Sequence, residues 1–349
     1  MEFISRRNFL KATAVVAGAA ALTACGGEDK PANTDNSGST TEESKGGEST
    51  GAKKVGVCIY KYDDNFMTTY RIALEKILKE RGYEVTTQDG NNDQAKQTEQ
   101  INTFITQGMD ALIINPVMPS AASSTVELVK NADIPTVFIN REPEAADMAP
   151  YNKLVYVGCD AAQSGTMQGN LILATENKGD INGDGKVSYI MIQGDPENID
   201  AKLRTEYSVK ALEDARMKVE KLNLTRGDWD QAKGQEICAN DLSQFGDKVE
   251  VVFCNNDSMA MGALQAIQSA GRTVGKDIYL VGVDALPEAL TAVQEGTLTG
   301  TVLNDAVGQA EMAVDCMEEL LNGKTYAEGE QSVYVDYVAV SKENVADFM

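Results

Sequence analysis

The side chains in this sequence best placed to do chemistry are acids and amides rather than nucleophiles. Asp180-Ile181-Asn182-Gly183-Asp184-Gly185-Lys186 sets an oxygen donor at every second position. Gly185 falls at position six, where a calcium loop turns sharply. Position twelve, where a bidentate Glu would close the cage, is Met191. Either the match is accidental, or a carboxylate from elsewhere in the chain completes it. A second set of polar residues follows short apolar runs: Asp63-Asp64-Asn65-Phe66, Asn140-Arg141-Glu142, Asn255-Asn256-Asp257, Asp284 and Asn304-Asp305. Taken singly, an Asp or Asn at such a place caps the next helix. Gathered from both halves of the chain, they would form a rim of planar donors and acceptors suited to sugar hydroxyls. A sugar also offers flat C–H faces, and two rings stand outside apolar stripes to meet them. These are Phe66 and Trp229, the latter in Gly227-Asp228-Trp229-Asp230.

Other chemistries are excluded or unsupported. His is absent, which rules out Ser-His-Asp and Cys-His mechanisms and removes the commonest general base and metal ligand. Gly183-Asp184-Gly185-Lys186 is followed by Val187, not Ser or Thr, and its acids would repel phosphate. No zinc spacing occurs, and the net charge of -22 argues against a nucleic-acid surface. Cys58, Cys159, Cys238, Cys254 and Cys316 have no redox or metal spacing and read as small buried thiols.

The elements that must carry these residues alternate twice between strand and helix. Apolar runs at 55–60, 83–87, 111–114, 136–139 and 154–157 are interleaved with helical patterns, the first of them at 66–81. After Asp160 the pattern restarts, with runs at 187–192, 218–222, 250–253 and 278–281. This predicts an α/β protein of two doubly wound parallel-sheet domains. In such sheets ligands bind beyond the carboxyl ends of the strands, where the polar set above lies. Ahead of them, Ser5-Arg6-Arg7-Asn8-Phe9-Leu10-Lys11 and the apolar run 12–24 read as an export signal, with paired arginines suggesting the twin-arginine route. Leu22-Thr23-Ala24-Cys25 resembles a lipobox, which would make Cys25 a lipidated first residue of the mature chain. Residues 25–53 are Gly-, Ser-, Thr- and Glu-rich and read as a flexible tether. The expected location is therefore the outer face of the cytoplasmic membrane.

Longer stretches resemble a known family. Val57 to Met67, Asn92-Asp93-Gln94, Tyr156-Val157-Gly158, the run from Asn255 to Gly262, the run from Gly282 to Leu290 and that from Gly300 to Asp305 are similar, in order, to the bacterial galactose/glucose-binding branch of the periplasmic sugar-binding proteins. The resemblance implies a type I periplasmic-binding-protein fold whose domains, 54–158 with 306–339 and 159–305 with 340–349, are joined by a three-segment hinge at 158–160, 304–306 and 339–342. It implies a sugar held by Asp64, Phe66, Asn140, Asp200, Arg204, Trp229, Asn256, Asp284 and Asn304, with Phe66 and Trp229 as the stacking rings. At Asn198 the family has His, which puts the choice between galactose and glucose in doubt. The resemblance also closes the calcium loop, with Glu250 as the distant bidentate ligand beside Asp180, Asn182, Asp184 and the Lys186 carbonyl. Ser188 stands where the family has Gln. The implied function is capture of a hexose by a monomeric binding protein that is not an enzyme, with delivery to an ABC permease and its ATPase. A sensor that shows its closed form to a chemoreceptor or sensor kinase would use the same site. A DNA-binding regulator of the same fold would need a helix-turn-helix where this chain has its signal and tether.

Overall fold

The computed structural model describes residues 51–349; the expected signal, Cys25 and nearly all of the tether lie outside them. The first lobe begins with β1 (Lys54–Ile59), α1 (Asn65–Glu80), β2 (Glu84–Asp89), α2 (Gln94–Thr106) and β3 (Ala111–Ile114). It continues with α3 (Ala122–Asn131), β4 (Thr136–Ile139), the single turn α4 (Ala145–Met148) and β5 (Leu154–Gly158). The second lobe holds α5 (Ala161–Leu173), β6 (Val187–Gln193), α6 (Ile199–Asp214), β7 (Val219–Arg226) and α7 (Gln231–Phe245). It goes on through β8 (Val251–Cys254), α8 (Asp257–Ser269), β9 (Tyr279–Val281), α9 (Pro287–Glu295) and β10 (Thr301–Leu303). The chain then returns to the first lobe with α10 (Ala306–Leu321) and β11 (Ser332–Tyr334), and ends in the second with β12 (Val338–Val340).

The first sheet runs β11-β5-β4-β3-β1-β2, and every pair in it is parallel. Period-two alternation sends Val55, Val57 and Ile59 to one face, against Leu74 of α1 and Val314 of α10. Cys58 goes to the other face, with Phe104 and Phe138. Gly56 is required in β1 because a Cβ there would come within 2.6 Å of the Phe104 ring. The second sheet, β7-β6-β8-β9, is also parallel and packs apolar layers on both faces. Continuous apolar strands covered on both sides are what such sheets need. The five cysteines among the described residues are all buried and unpaired. Among the described residues no helix is long and apolar enough to cross a membrane.

Three chain segments cross between lobes, and one of them corrects the sequence reading. The first two pass from β5 to α5 and from β10 to α10, at 158–160 and 304–306 as expected. The third passes from β11 to β12, at 335–337, earlier than the expected 339–342. The cause is pairing: Ser332–Tyr334 joins β5, whereas Val338–Val340 runs antiparallel to β10 and buries Val340 in the second lobe's core. Residues 338 and 339 therefore belong to the second lobe, not the first.

Candidate functional site: a closed polar cleft

The carboxyl ends of strands from both lobes converge on one narrow cavity, part of it open to solvent, at the place where ligands bind in sheets of this type. All ten residues expected at the site line it: Asp64, Phe66 and Asn140 from the first lobe, and Asn198, Asp200, Arg204, Trp229, Asn256, Asp284 and Asn304 from the second lobe and its hinge. The lobes meet over it. The Asn65 amide donates to the Ser258 hydroxyl at 3.0 Å, and Arg141 faces Asp195 at 3.5 Å. The cleft is closed.

The question of cap against ligand has a double answer at three positions. Asp64 caps α1 by accepting from the Met67 N–H at 2.8 Å, Asn198 caps α6 through Asp200 N–H at 3.0 Å, and Asn256 caps α8 through Met259 N–H at 3.0 Å. Each cap bond fixes a side chain that also lines the cavity, and the Asn256 amide donates in addition to the Trp229 carbonyl at 3.3 Å. For Asn198 the cap occupies the oxygen, so the amide N–H₂ is the group left for a ligand. Asp64 also accepts from the Tyr60 hydroxyl at 2.6 Å.

Arg204 is the centre of the second wall. Its guanidinium donates to the Asn255 carbonyl at 2.9 Å, to the Tyr337 hydroxyl at 2.9 Å and to Asp200 at 3.3 Å, one helical turn earlier. Its Nε has no partner although it is buried. A buried charged donor with no acceptor is costly, so this atom calls for one. Burial works against the Arg204 charge, but Tyr337, Asp200 and Asp284 outweigh it and hold the group firmly protonated. Burial pushes the Asp284 carboxyl well up, more than Arg204 pulls it down, and it raises Asp200 as well. Asp284 accepts from the Asn304 amide at 3.1 Å, and Asn304 in turn accepts from Gln309 at 2.6 Å. These carboxylates are costly while dry and gain from hydroxyl donors.

The two rings come from opposite lobes. Phe66 packs edge-on against Tyr70, with centroids 6.1 Å apart. Trp229 sits in a left-handed turn (φ 64°) and lies over Gly194, where a Cβ would come within 2.2 Å of the indole. A non-glycine residue held at positive φ next to a cavity is strain concentrated at a working surface. Tyr60, Met67 and Arg141 also line the cavity and were not anticipated. Arg141 stacks 3.8 Å above the Tyr60 ring and donates to the Val117 carbonyl at 2.7 Å. Its only sequence signal was its place in the Asn140-Arg141-Glu142 strand end.

The acidic loop lies between α5 and β6. Asp180 accepts from the N–H of Asp184 at 3.1 Å and of Gly185 at 3.0 Å, and Gly183 and Gly185 take positive φ. Glu250, 1% exposed, reaches the loop from the start of β8 and accepts from the N–H of Asn182 and of Ser188, at 2.9 and 2.8 Å. Lys186 pairs with Glu220 across the β6–β7 edge. Ser188 is buried and stands opposite Glu220 in the β6–β7 register. Among the described residues no three His, Cys, Asp and Glu side chains stand close enough to hold a metal by themselves.

Two parallel-sheet lobes closed over a polar cavity lined by buried acids and amides have the architecture of a solute-binding protein. Residues 55–325 match the model of the periplasmic binding protein domain, and the chain belongs to that family. Its members are solute-binding transport proteins, not enzymes. Residues 4–23 match the twin-arginine translocation signal, so the protein is exported to the periplasm. It is 38% identical over 307 residues to the D-galactose/methyl-galactoside binding periplasmic protein MglB of Haemophilus influenzae, covering 85% of this chain and 92% of that one. It is 30% identical over 270 residues to the ribose import binding protein RbsB of Bacillus subtilis, covering 77% and 82%. An ABC transporter solute binding protein from Bacillus halodurans, solved with bound myo-inositol, superposes with a TM-score of 0.75 at 29% identity, covering 86% of this chain and 98% of that one.

Proposed function

We propose that the cleft captures a hexose, with D-galactose and D-glucose as first candidates, and delivers it to an ABC importer. The observation that carries this is the partnerless Arg204 Nε among buried Asp200, Asp284 and Asn256, with Phe66 and Trp229 on opposing lobes. Donors and acceptors alternate around a space walled by rings, which suits a pyranose and no catalytic step. The likeness to a D-galactose/methyl-galactoside binding protein supports a hexose. A sugar touches both lobes only when they close, so it shifts the population toward the closed form that a permease would recognise. Titration calorimetry with galactose, glucose, ribose and xylose tests the reading. Binding of a hexose more tightly than either pentose is expected, and heat from none of the four would overturn it.

The acidic loop completes the proposal as a structural calcium site. Its donors are all oxygen, as a hard cation requires: Asp180, Asn182, Asp184, the Lys186 carbonyl and Glu250, with Ser188 the weakest candidate. A loop closed by a distant strand, with no flanking helix pair, staples its lobe rather than switching it. Lipidation at Cys25 would hold the folded region at the membrane, which intact-mass measurement of the membrane fraction tests directly.

A further inference from the structure

The run Asn255-Asn256-Asp257 gives its middle residue to the cavity, while the third turns away from it into the lobe. Asp257 is fully buried and lines no part of the cleft. Its backbone N–H donates to the Val283 carbonyl at 2.7 Å, and its Oδ2 accepts from the Leu286 N–H at 3.0 Å. Its Oδ1 accepts from the Thr301 hydroxyl at 2.7 Å. One residue thus grips the chain on both sides of Asp284-Ala285. These two are consecutive non-glycine residues at positive φ, 122° and 54°. Left to itself, a turn of this kind relaxes, because a side chain at positive φ strains the backbone. The close fit is enforced by Gly282, where a Cβ would come within 2.1 Å of Asp257 Oδ1.

We propose that Asp257 is a positioning residue for ligand capture, clamping the strained 283–286 turn so that the Asp284 carboxylate is aimed into the cleft. The inference rests on the sugar-capture reading of that cleft. It assigns a buried acid a role in affinity that its distance from the ligand would otherwise hide. Thr301 is the second half of the clamp, since its hydroxyl donates to Asp257 and lies 3.4 Å from the Ala285 N–H. An amide in place of the carboxylate puts an N–H₂ against one of the two donors, so Asp257→Asn breaks one side of the grip at almost constant volume.

The test is calorimetry of the wild-type full chain and its variants with the tightest-binding hexose, alongside thermal melts. Asp257→Asn and Thr301→Val are each expected to weaken binding at least tenfold, whereas Thr301→Ser, which keeps the hydroxyl, binds within about twofold of wild type. Asp241→Asn serves as a buried-acid control. Asp241 is held by Asn223 away from the cleft, so its loss lowers melting temperature without changing affinity. Because Asp257 acts through Asp284, adding Asp257→Asn to Asp284→Asn should weaken binding by less than threefold more. Equal losses in the two backgrounds would overturn the proposal, as would wild-type affinity in Thr301→Val. If Asp257→Asn does not fold, the Thr301 pair decides alone. Wild-type protein that binds no sugar overturns the capture reading itself, a result distinct from wild-type binding that the clamp variants leave unchanged.

Discussion

Asp200 and Asp284 in the cleft, and Asp180 and Asp184 in the loop after α5, are one side chain in two surroundings. In the loop the carboxylates accept from amides two to five residues away, with Asp180 half-buried and Asp184 exposed. In the cleft the carboxylates are buried and held by residues as distant in sequence as the Asp284–Asn304 pair. The loop is satisfied by its own backbone and asks only for a cation to balance its charge. The cleft is pre-built at a cost, with acids whose charge burial disfavours and a guanidinium nitrogen without an acceptor. A ligand that brings hydroxyls relieves that cost, which is how a rigid wall becomes an affinity.

The largest effect should come from the cleft. Arg204→Leu leaves Asp200 buried without its partner, a change worth about 3–5 kcal/mol. Hexose binding should weaken more than 100-fold by calorimetry. Arg204→Lys keeps the charge but not the fork, and should fall between. Hexose affinity unchanged in Arg204→Leu would erase the contrast between the two regions. The loop supplies the next effect. If calcium is present at ~1,000 times its dissociation constant, it adds roughly 4 kcal/mol of stability. Melting temperature should then rise by about 10 °C with calcium and fall back with chelator. Glu250→Gln should abolish the rise while leaving hexose affinity within about threefold. A calcium effect that survives this variant would remove Glu250 from the site.

Acidity sharpens the comparison further. Burial raises Asp200 and Asp284 and brings Asp257 up to about 7. An acid whose folded value is raised binds its proton more tightly when folded. Its contribution to stability is complete below the unfolded value near ~4 and is lost as pH rises through the folded one. Ligand-free protein without calcium should therefore melt several degrees lower at pH 7.5 than at pH 5, and Asp257→Asn should flatten that slope. A smaller effect belongs to the rings. Trp229→Ala removes one apolar face, worth about 2 kcal/mol, or roughly 30-fold in affinity. Trp229→Phe should recover most of it.

The cleft was more legible in the sequence than its wiring. Asp64, Asn140, Asn256, Asp284 and Asn304 each follow a strand, and the sheet type dictates that strand ends face a ligand. Asp200 and Arg204 show their alliance by four-residue spacing on one helix. Arg141 gave almost no signal because its partners, Tyr60, Val117 and Asp195, lie in three other segments and one of them is in the other lobe. Tyr337, which holds Arg204, is 133 residues from it and lies in the third lobe crossing itself. That crossing was misplaced because β10, β11 and β12 are three residues long, too short for periodicity to separate strand from linker. The double use of Asp64, Asn198 and Asn256 was likewise hidden, since a cap and a ligand call for the same side chains.

Ser188 is where the two regions can be told apart most finely, by an effect that should nearly vanish. Its backbone N–H supports Glu250 at 2.8 Å, and its side chain is buried opposite Glu220 on β7. A ligand's role for the short Ser188 hydroxyl would add one oxygen that a water molecule could supply equally well. The amide that holds Glu250 does not depend on the side chain at all. Ser188→Ala should consequently change the calcium-dependent rise in melting temperature by no more than about 1 °C, equivalent to less than ~0.5 kcal/mol. A loss as large as that of Glu250→Gln would show instead that the loop recruits a sixth ligating residue from β6.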